Sequence, residues 1–209
     1  MRRYDCLERL SGWVDEHMFA CTSLSSNTAI WSEVRPDGPN FCGLNMGLCV
    51  PFALGVSLAF PQRTVLALDS DGSLLNNTSA LLTVGDLRPA NLMIVLMDNQ
   101  SYARMGPTAT SRNANLEEIA RGSGIPTCAT IRTPEEFDSI IRPALRQPGP
   151  SFYRVIVEPE RERLTGNRRR VYGQSMKSRF MELVADHPDF QSWNENARVA
   201  GQRQAVSDS

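Results

Sequence analysis

Residues 64–73 read TVLALDSDGS, and residues 92–101 read LMIVLMDNQS. Both are aliphatic runs that stop at acidic and amide side chains. A strand with one face in water alternates apolar and polar positions. A strand apolar at consecutive positions is covered on both faces, as in a parallel sheet between two layers of helices. Ser73 to Leu87 separates the runs and carries helical patterning. A strand–helix–strand unit of this length closes by a right-handed crossover, so both strands run parallel and end on one edge of the sheet. Open α/β sheets bind ligands along that edge.

The same alternation continues in both directions. Helical spacing is expected over Tyr4–His17 (Leu7, Leu10, Val14), through Ile30 and Trp31 behind cap chemistry at Ser25, Ser26 and Asn27, and over Gly47–Phe60, Asn115–Arg121 and Pro134–Arg146. Strands are expected at Met18–Cys21, Thr127–Ile131 and Phe152–Val157, and a turn cluster at Arg35–Pro39. The fold class is α/β, a three-layer doubly wound parallel sheet with helices on both faces. It occupies residues 1–159. Residues 160–209 form a C-terminal extension with few aliphatics, an Arg168-Arg169-Arg170 run, one helix over Gln174–Ala185 and a disordered end.

Composition narrows the function classes. Apolar residues are 41% and charged residues 22% of the 209, which is globular and excludes wholesale disorder. A net charge of −1 gives no support to nucleic-acid or anionic-membrane binding, and three arginines in a row read as a solvated surface or a subunit contact. Pro39 to Gln62 is free of charge and nearly long enough for a bilayer. It carries Asn40, Asn45, Pro51 and Ser57, so it reads as a loop feeding a buried helix, with no membrane role. The five cysteines are odd in number and form no C-x-x-C, and no secretory leader opens the chain. This indicates a reduced, cytoplasmic protein without an iron–sulfur or structural zinc site. His17 and His187 are too few for a poly-histidine metal centre. One lysine, Lys177, among 22 basic residues points to a GC-rich, bacterial coding sequence.

The chemistry sits where the two aliphatic runs end. Asp71 offers an anionic oxygen and Asn99 an amide oxygen. With a backbone carbonyl they suit Mg²⁺, which takes oxygen ligands and shares them with phosphates. Gly72 lets the backbone approach an anion, and Ser73 opens the next helix, whose free N–H groups favour a phosphate. A diphosphate with a divalent cation is the economical ligand. Asp71-Gly72-Ser73 alone would read as a turn and helix cap. The second strand end alongside it shifts the balance.

At this point the chain resembles a known family. DGSLLNN (71–77) followed by MDNQS (97–101), with 28 positions from Asp71 to Asn99, is similar to the thiamine diphosphate motif. GLNMGL (43–48) and ALGVSLAF (53–60) resemble the segment holding the aminopyrimidine ring in thiamine diphosphate-dependent 2-oxoacid decarboxylases. RPANLMIVLMDN (88–99) most resembles sulfopyruvate and phosphonopyruvate decarboxylases. The resemblance covers Tyr4 to Pro159. It implies that Asp71, Asn99 and the Ser101 carbonyl bind Mg²⁺, and that Gly72 and Ser73 contact the diphosphate, with hydroxyl contacts from Ser25 and Ser26. It also implies that Met46 is the apolar wedge beneath the cofactor, and that the Leu44 carbonyl accepts a hydrogen bond from the aminopyrimidine. The plain alternative for Met46 is a core methionine. No acid–base residue is assigned to this chain. Arg104 is a candidate for an anionic substrate group, with a solvated loop arginine as its plain alternative.

Two departures bear on function. Ser70 stands where the motif has glycine, which is expected to restrict the turn or weaken the metal. The family also needs a glutamate from a pyrimidine-binding domain, and this chain has no room for one. The resemblance therefore implies a split enzyme. This chain is its β-type subunit, in a hetero-oligomer with a separate pyrimidine-binding, α-type subunit, acting on a short 2-oxoacid of the sulfopyruvate or phosphonopyruvate kind. The apolar Gly47–Phe60 helix and the long Gln100–Ala114 segment fit such an interface. The rival readings are a carboligase subunit with the same cofactor site and a non-catalytic assembly or regulatory subunit. A ferredoxin-linked oxidoreductase subunit is disfavoured by the missing C-x-x-C pairs, and a nicotinamide-binding domain by the missing G-x-G-x-x-G.

Overall fold

The computed structural model describes residues 1–159 and 174–185. Six strands form one all-parallel sheet in the order β2-β1-β3-β4-β6-β5. They are β1 (Phe19–Ser23), β2 (Asn40–Leu44), β3 (Val65–Ser70), β4 (Leu92–Asp98), β5 (Thr127–Ile131) and β6 (Ser151–Ile156). The helices are α1 (Arg3–Ser11), α2 (Ser26–Val34), α3 (Cys49–Ala59), α4 (Asp71–Leu74), α5 (Ala80–Leu87), α6 (Leu116–Gly122), α7 (Pro134–Ala144) and α8 (Gln174–Ala185).

Strand alternation sorts the core into two layers. Leu66, Leu68, Met93, Val95 and Met97 point to one face and pack with Leu7 and Leu10 of α1, Trp31 of α2, and Phe137 and Ile141 of α7. Val65, Ala67, Leu92, Ile94 and Leu96 point to the other and meet Val50 and Ala53 of α3, Leu81 and Val84 of α5, and Ala120 of α6. β3 is buried from Val65 to Asp69 and β4 throughout, as double coverage requires. This is the doubly wound sheet read from the sequence. α8 packs on β2, the edge strand, where the Phe180 ring stands edge-on to Phe19 and Phe41 with centroids 6.0 and 5.4 Å apart.

Four local expectations are corrected. α1 stops at Ser11, because Gly12 takes the C-cap and closes the last turn on the Glu8 and Arg9 carbonyls. Asn40–Leu44 is a strand, not a loop: Asn40 is buried by accepting from Trp31 Nε1 at 3.0 Å and donating to the Arg35 carbonyl, so its polarity misleads. The helix expected over Ser73–Leu87 is broken into α4 and α5. Asn76 and Asn77 turn their amides onto the Gly72 and Gly47 carbonyls, in competition with the helix ladder. The 100–114 segment holds two short 3₁₀ turns, Ala103–Met105 and Ala109–Ser111, and an antiparallel bridge from Ser101 to Pro107. Among the described residues no helix is long and apolar enough to cross a membrane. The arginine run at 168–170, the expected disordered end and His187 lie outside the described residues.

Candidate active site

The chain leaves β1 toward β2 and leaves β3 toward β4, yet β1 and β3 are neighbours. Their carboxyl-end loops part, and at such a switch point doubly wound sheets hold ligands. Asn27 ties the two strands beneath it: its Nδ2 donates to the Leu68 carbonyl at 3.1 Å and to Ser23 Oγ at 3.2 Å, while Oδ1 accepts from Arg3 at 2.8 Å.

On the β3 side, Ser70 pairs with Met97, which sets Asp71 level with Asp98 and Asn99 one residue beyond. Asp71 is buried. Its Oδ2 accepts from Thr108 Oγ1 at 2.7 Å and lies 3.3 Å from Thr110 Oγ1. Its Oδ1 is buried without a hydrogen-bond partner. Burial raises the Asp71 pKa above its ordinary value, Thr108 pulls it back, and the charge of Asp98 raises it further. Asp69 repeats the pattern, with Oδ1 on the Ser70 N–H at 2.8 Å and Oδ2 buried and unpartnered. Burial pushes its carboxyl up to about 6. Asp98 is fully satisfied: Oδ1 accepts from the Gln100 N–H and Thr110, and Oδ2 pairs with Arg154 at 2.6 Å. Two buried carboxylates thus each keep an open oxygen at one rim. A cation would neutralise such a rim, because water cannot reach it.

The remaining expected residues fall around this rim. Asn99 Oδ1 accepts the Ser101 N–H at 3.2 Å, and the Ser101 hydroxyl is turned toward the Ala103 and Gly106 carbonyls. Ser73 Oγ accepts the Gly47 N–H at 3.2 Å, and Asn77 ties the Gly47 carbonyl at 3.0 Å. These bonds draw the β2–α3 loop, with Leu44 and Met46, across β1 toward Asp71. Met46 is 38% exposed and belongs to neither core cluster, unlike a core methionine. The Leu44 carbonyl accepts the Leu24 N–H at 2.8 Å, which uses one of its two lone pairs. Ser25 and Ser26 sit at the β1–α2 corner. Ser25 makes no capping bond, because its φ of 76° departs from the extended conformation an N-cap needs.

A Cβ on Gly72 would lie 2.7 Å from the Tyr102 ring, so only glycine leaves room for that ring here. Two local expectations change. Ser70 adopts φ −125°, ψ 155°, ordinary extended backbone, so the turn does not need glycine's freedom at this position. α4 is a single turn that starts at Asp71, so Ser73 lies inside it and does not open the next helix. The Arg104 side chain lies outside the described ones. The sequence reading did not anticipate Thr108, Thr110, Asp98, Arg154 and Tyr102. No local pattern marks the threonines, because Thr110 stands in a 3₁₀ turn and reaches Asp71 and Asp98 only through the path of the loop.

The model of the thiamine pyrophosphate enzyme C-terminal TPP-binding domain matches residues 37–155, more than half of the chain. The chain belongs to this family. Sulfopyruvate decarboxylase subunit beta of Methanocaldococcus jannaschii is 33% identical over 149 residues, spanning 70% of this chain and 78% of that one. Its counterpart in Methanothermobacter thermautotrophicus is 31% identical, spanning 76% and 83%. Phosphonopyruvate decarboxylase of Streptomyces viridochromogenes is 30% identical over 54% of this chain and 29% of its own. The crystal structure of benzoylformate decarboxylase from Polynucleobacter necessarius shares the fold, with a TM-score of 0.65 at 16% identity over 77% of this chain and 34% of that one. For a TPP-binding domain the rim has a suitable donor set. No group of three or more His, Cys, Asp or Glu side chains converges among the described residues, so Asp71, amide and carbonyl oxygens and the ligand's own phosphates would have to share a cation.

Proposed function

We propose that this chain is the β-type subunit of a split, thiamine diphosphate- and Mg²⁺-dependent 2-oxoacid decarboxylase, with its active site shared with a separate pyrimidine-binding subunit. The observation that carries the reading is Asp71 Oδ1, a buried carboxylate oxygen without a partner, at the switch point where the loops after β1 and β3 part. Asp71 and Asn99 hold the cation with the Ser101 carbonyl. The Gly72 and Ser73 segment meets the diphosphate, with Ser25 and Ser26 opposite. Leu44 and Met46 meet the ring. Bound thiamine diphosphate supplies the electron sink that lets the carboxylate of a 2-oxoacid depart as CO₂. The residues of this chain bind, orient and exclude water. No acid–base role is assigned among the described residues.

Three observations support the separate subunit. The archaeal relatives matched over most of their length are named subunit beta. Sulfopyruvate decarboxylase of Methanosarcina acetivorans is matched over only 30% of its length, as expected where both halves lie in one chain. Leu48 just before α3, Leu58 in its last turn and Leu82 on α5 remain about half exposed, so the chain's own sheet does not cover that helix layer. The substrate is a short 2-oxoacid with a sulfonate or phosphonate head. The test is to mix the purified chain and its partner with Mg²⁺, thiamine diphosphate and 3-sulfopyruvate, 3-phosphonopyruvate or pyruvate. CO₂ is expected only when both chains are present. Release from none of the three would refute the proposal.

A carboligase reading rests on the acetolactate synthase large subunit of Escherichia coli, 28% identical over 127 residues. Product analysis separates the two, since carboligation yields a carbon–carbon bond in place of a free aldehyde. Ser70 sits in ordinary backbone, so a reshaped turn gives the non-catalytic reading no support.

A further inference from the structure

The loop from Asn99 to Ala114 begins and ends on one side chain. Arg154, in β6, is buried at 7% exposure. Its Nε donates at 2.6 Å to Asp98, the residue before the loop, and its Nη1 donates at 3.2 Å to Asn115 Oδ1, the residue after it. That same Asn115 oxygen caps α6 by accepting the Glu117 N–H at 3.1 Å. Between these anchors the returning limb of the loop places Thr108 and Thr110 against Asp71 and Asp98.

We propose that Arg154 is a positioning residue for the site: it holds both ends of the 99–114 loop and, through Asp98 and Thr110, fixes the orientation of Asp71. Proton counting carries the coupling. Thr108 and Thr110 each own one hydroxyl proton, yet they lie within hydrogen-bonding distance of Asp71 Oδ2, Asp98 Oδ1 and each other. Arg154 takes charge of Asp98 Oδ2, so the threonine protons are shared between one oxygen of each carboxylate. Without the guanidinium, a buried Asp98 left short of donors draws the Thr110 hydroxyl to itself, and Asp71 Oδ2 is left with Thr108 alone to hold the orientation that turns its Oδ1 outward. Arginine suits the role because its planar fork spans two acceptors at once, whereas a lysine ammonium engages one direction at a time.

The binding half of this proposal rests on the cation and diphosphate reading of the rim; the loop half does not. Three variants separate the roles. Arg154→Lys keeps the charge and loses the fork. Asn115→Ser keeps a capping hydroxyl but is too short to reach Arg154. Asn115→Asp keeps both the cap and the arm. Hydrogen exchange of residues 100–114 is measured on the full chain without ligand, and Mg²⁺ affinity is measured by calorimetry with saturating thiamine diphosphate on the chain assembled with its partner. Arg154→Lys and Asn115→Ser are expected to speed exchange in 100–114 about tenfold while the β3 and β4 amides stay protected. They are also expected to weaken Mg²⁺ about tenfold, the low end of the losses that follow when the groups orienting a metal ligand are disturbed. Asn115→Asp should match wild type in both measurements. Unchanged exchange in both weakened variants overturns the loop anchor. Faster exchange with unchanged Mg²⁺ affinity overturns the positioning of Asp71. If wild type itself binds no cofactor, the proposed function fails, and exchange alone still decides the anchor.

Discussion

One oxygen of Asp71 is held by two hydroxyls and the other by none. That asymmetry is a property of single residues, and single substitutions read it. Thr108→Val keeps the shape of a fully buried side chain and deletes its proton, leaving Asp71 Oδ2 with the longer Thr110 contact. The expected loss is about 1–3 kcal/mol by chemical denaturation, largely restored by Thr108→Ser. An unchanged midpoint would show that Thr110 suffices. The cysteines are equally readable. Burial pushes the Cys6 thiol up to about 12 and holds Cys21 and Cys49 above their ordinary range, while partly buried Cys128 is pushed up to about 11. Alkylation needs the thiolate. At pH 8 the native chain should therefore leave Cys6, Cys21, Cys42 and Cys49 unmodified and react slowly at Cys128, whereas the unfolded chain reacts at all five. Intact-mass spectrometry counts the adducts.

At the scale of elements, the ends and contacts of helices carry the measurable energy. α7 opens with a reciprocal capping box, in which Thr133 accepts from the Glu136 N–H and Glu136 accepts from the Thr133 N–H, with Pro134 in the first turn. Thr133→Ala should cost about 1 kcal/mol, seen as a lower denaturation midpoint at constant slope. α5 and the turn after α6 meet through Gly85, where a Cβ would overlap the Ser123 carbonyl oxygen. Gly85→Ala forces the two apart and is expected to cost about 3 kcal/mol in the same assay, more than helix propensity returns. A neutral result would mean the helices slide freely. The elements were legible where one period dominated. β5 and the helix pattern from Pro134 onward were readable because each is short, uniform and bounded by turn residues. β2 was hidden because its buried Asn40 is satisfied by a tryptophan nine residues earlier, a pairing no local pattern records. The break between α4 and α5 was hidden for the same kind of reason, since Asn77 bonds a carbonyl thirty residues away.

For the whole molecule, cofactor and partner should act as folding ligands. A ligand that binds only the folded state at one hundred times its dissociation constant stabilises by about 2.7 kcal/mol. Thiamine diphosphate with Mg²⁺ is therefore expected to raise the melting temperature of the assembled complex, and EDTA should reverse the rise. A cofactor effect that persists in EDTA would contradict a shared cation at Asp71. By itself the sequence determined the layered class and the rim, because uninterrupted aliphatic runs can be buried only between two helical layers, and a crossover of that length brings both strand ends to one side. It also placed Asp71 and Asn99 at those two ends, which follows from where the aliphatic runs stop. Only the tertiary structure decided that β1 and β3 adjoin, that Gly47 crosses to Ser73, and that Arg154 joins Asp98 to Asn115. Each of these joins residues far apart in the chain through one or two directional bonds, and such bonds leave no periodicity in the sequence to be read.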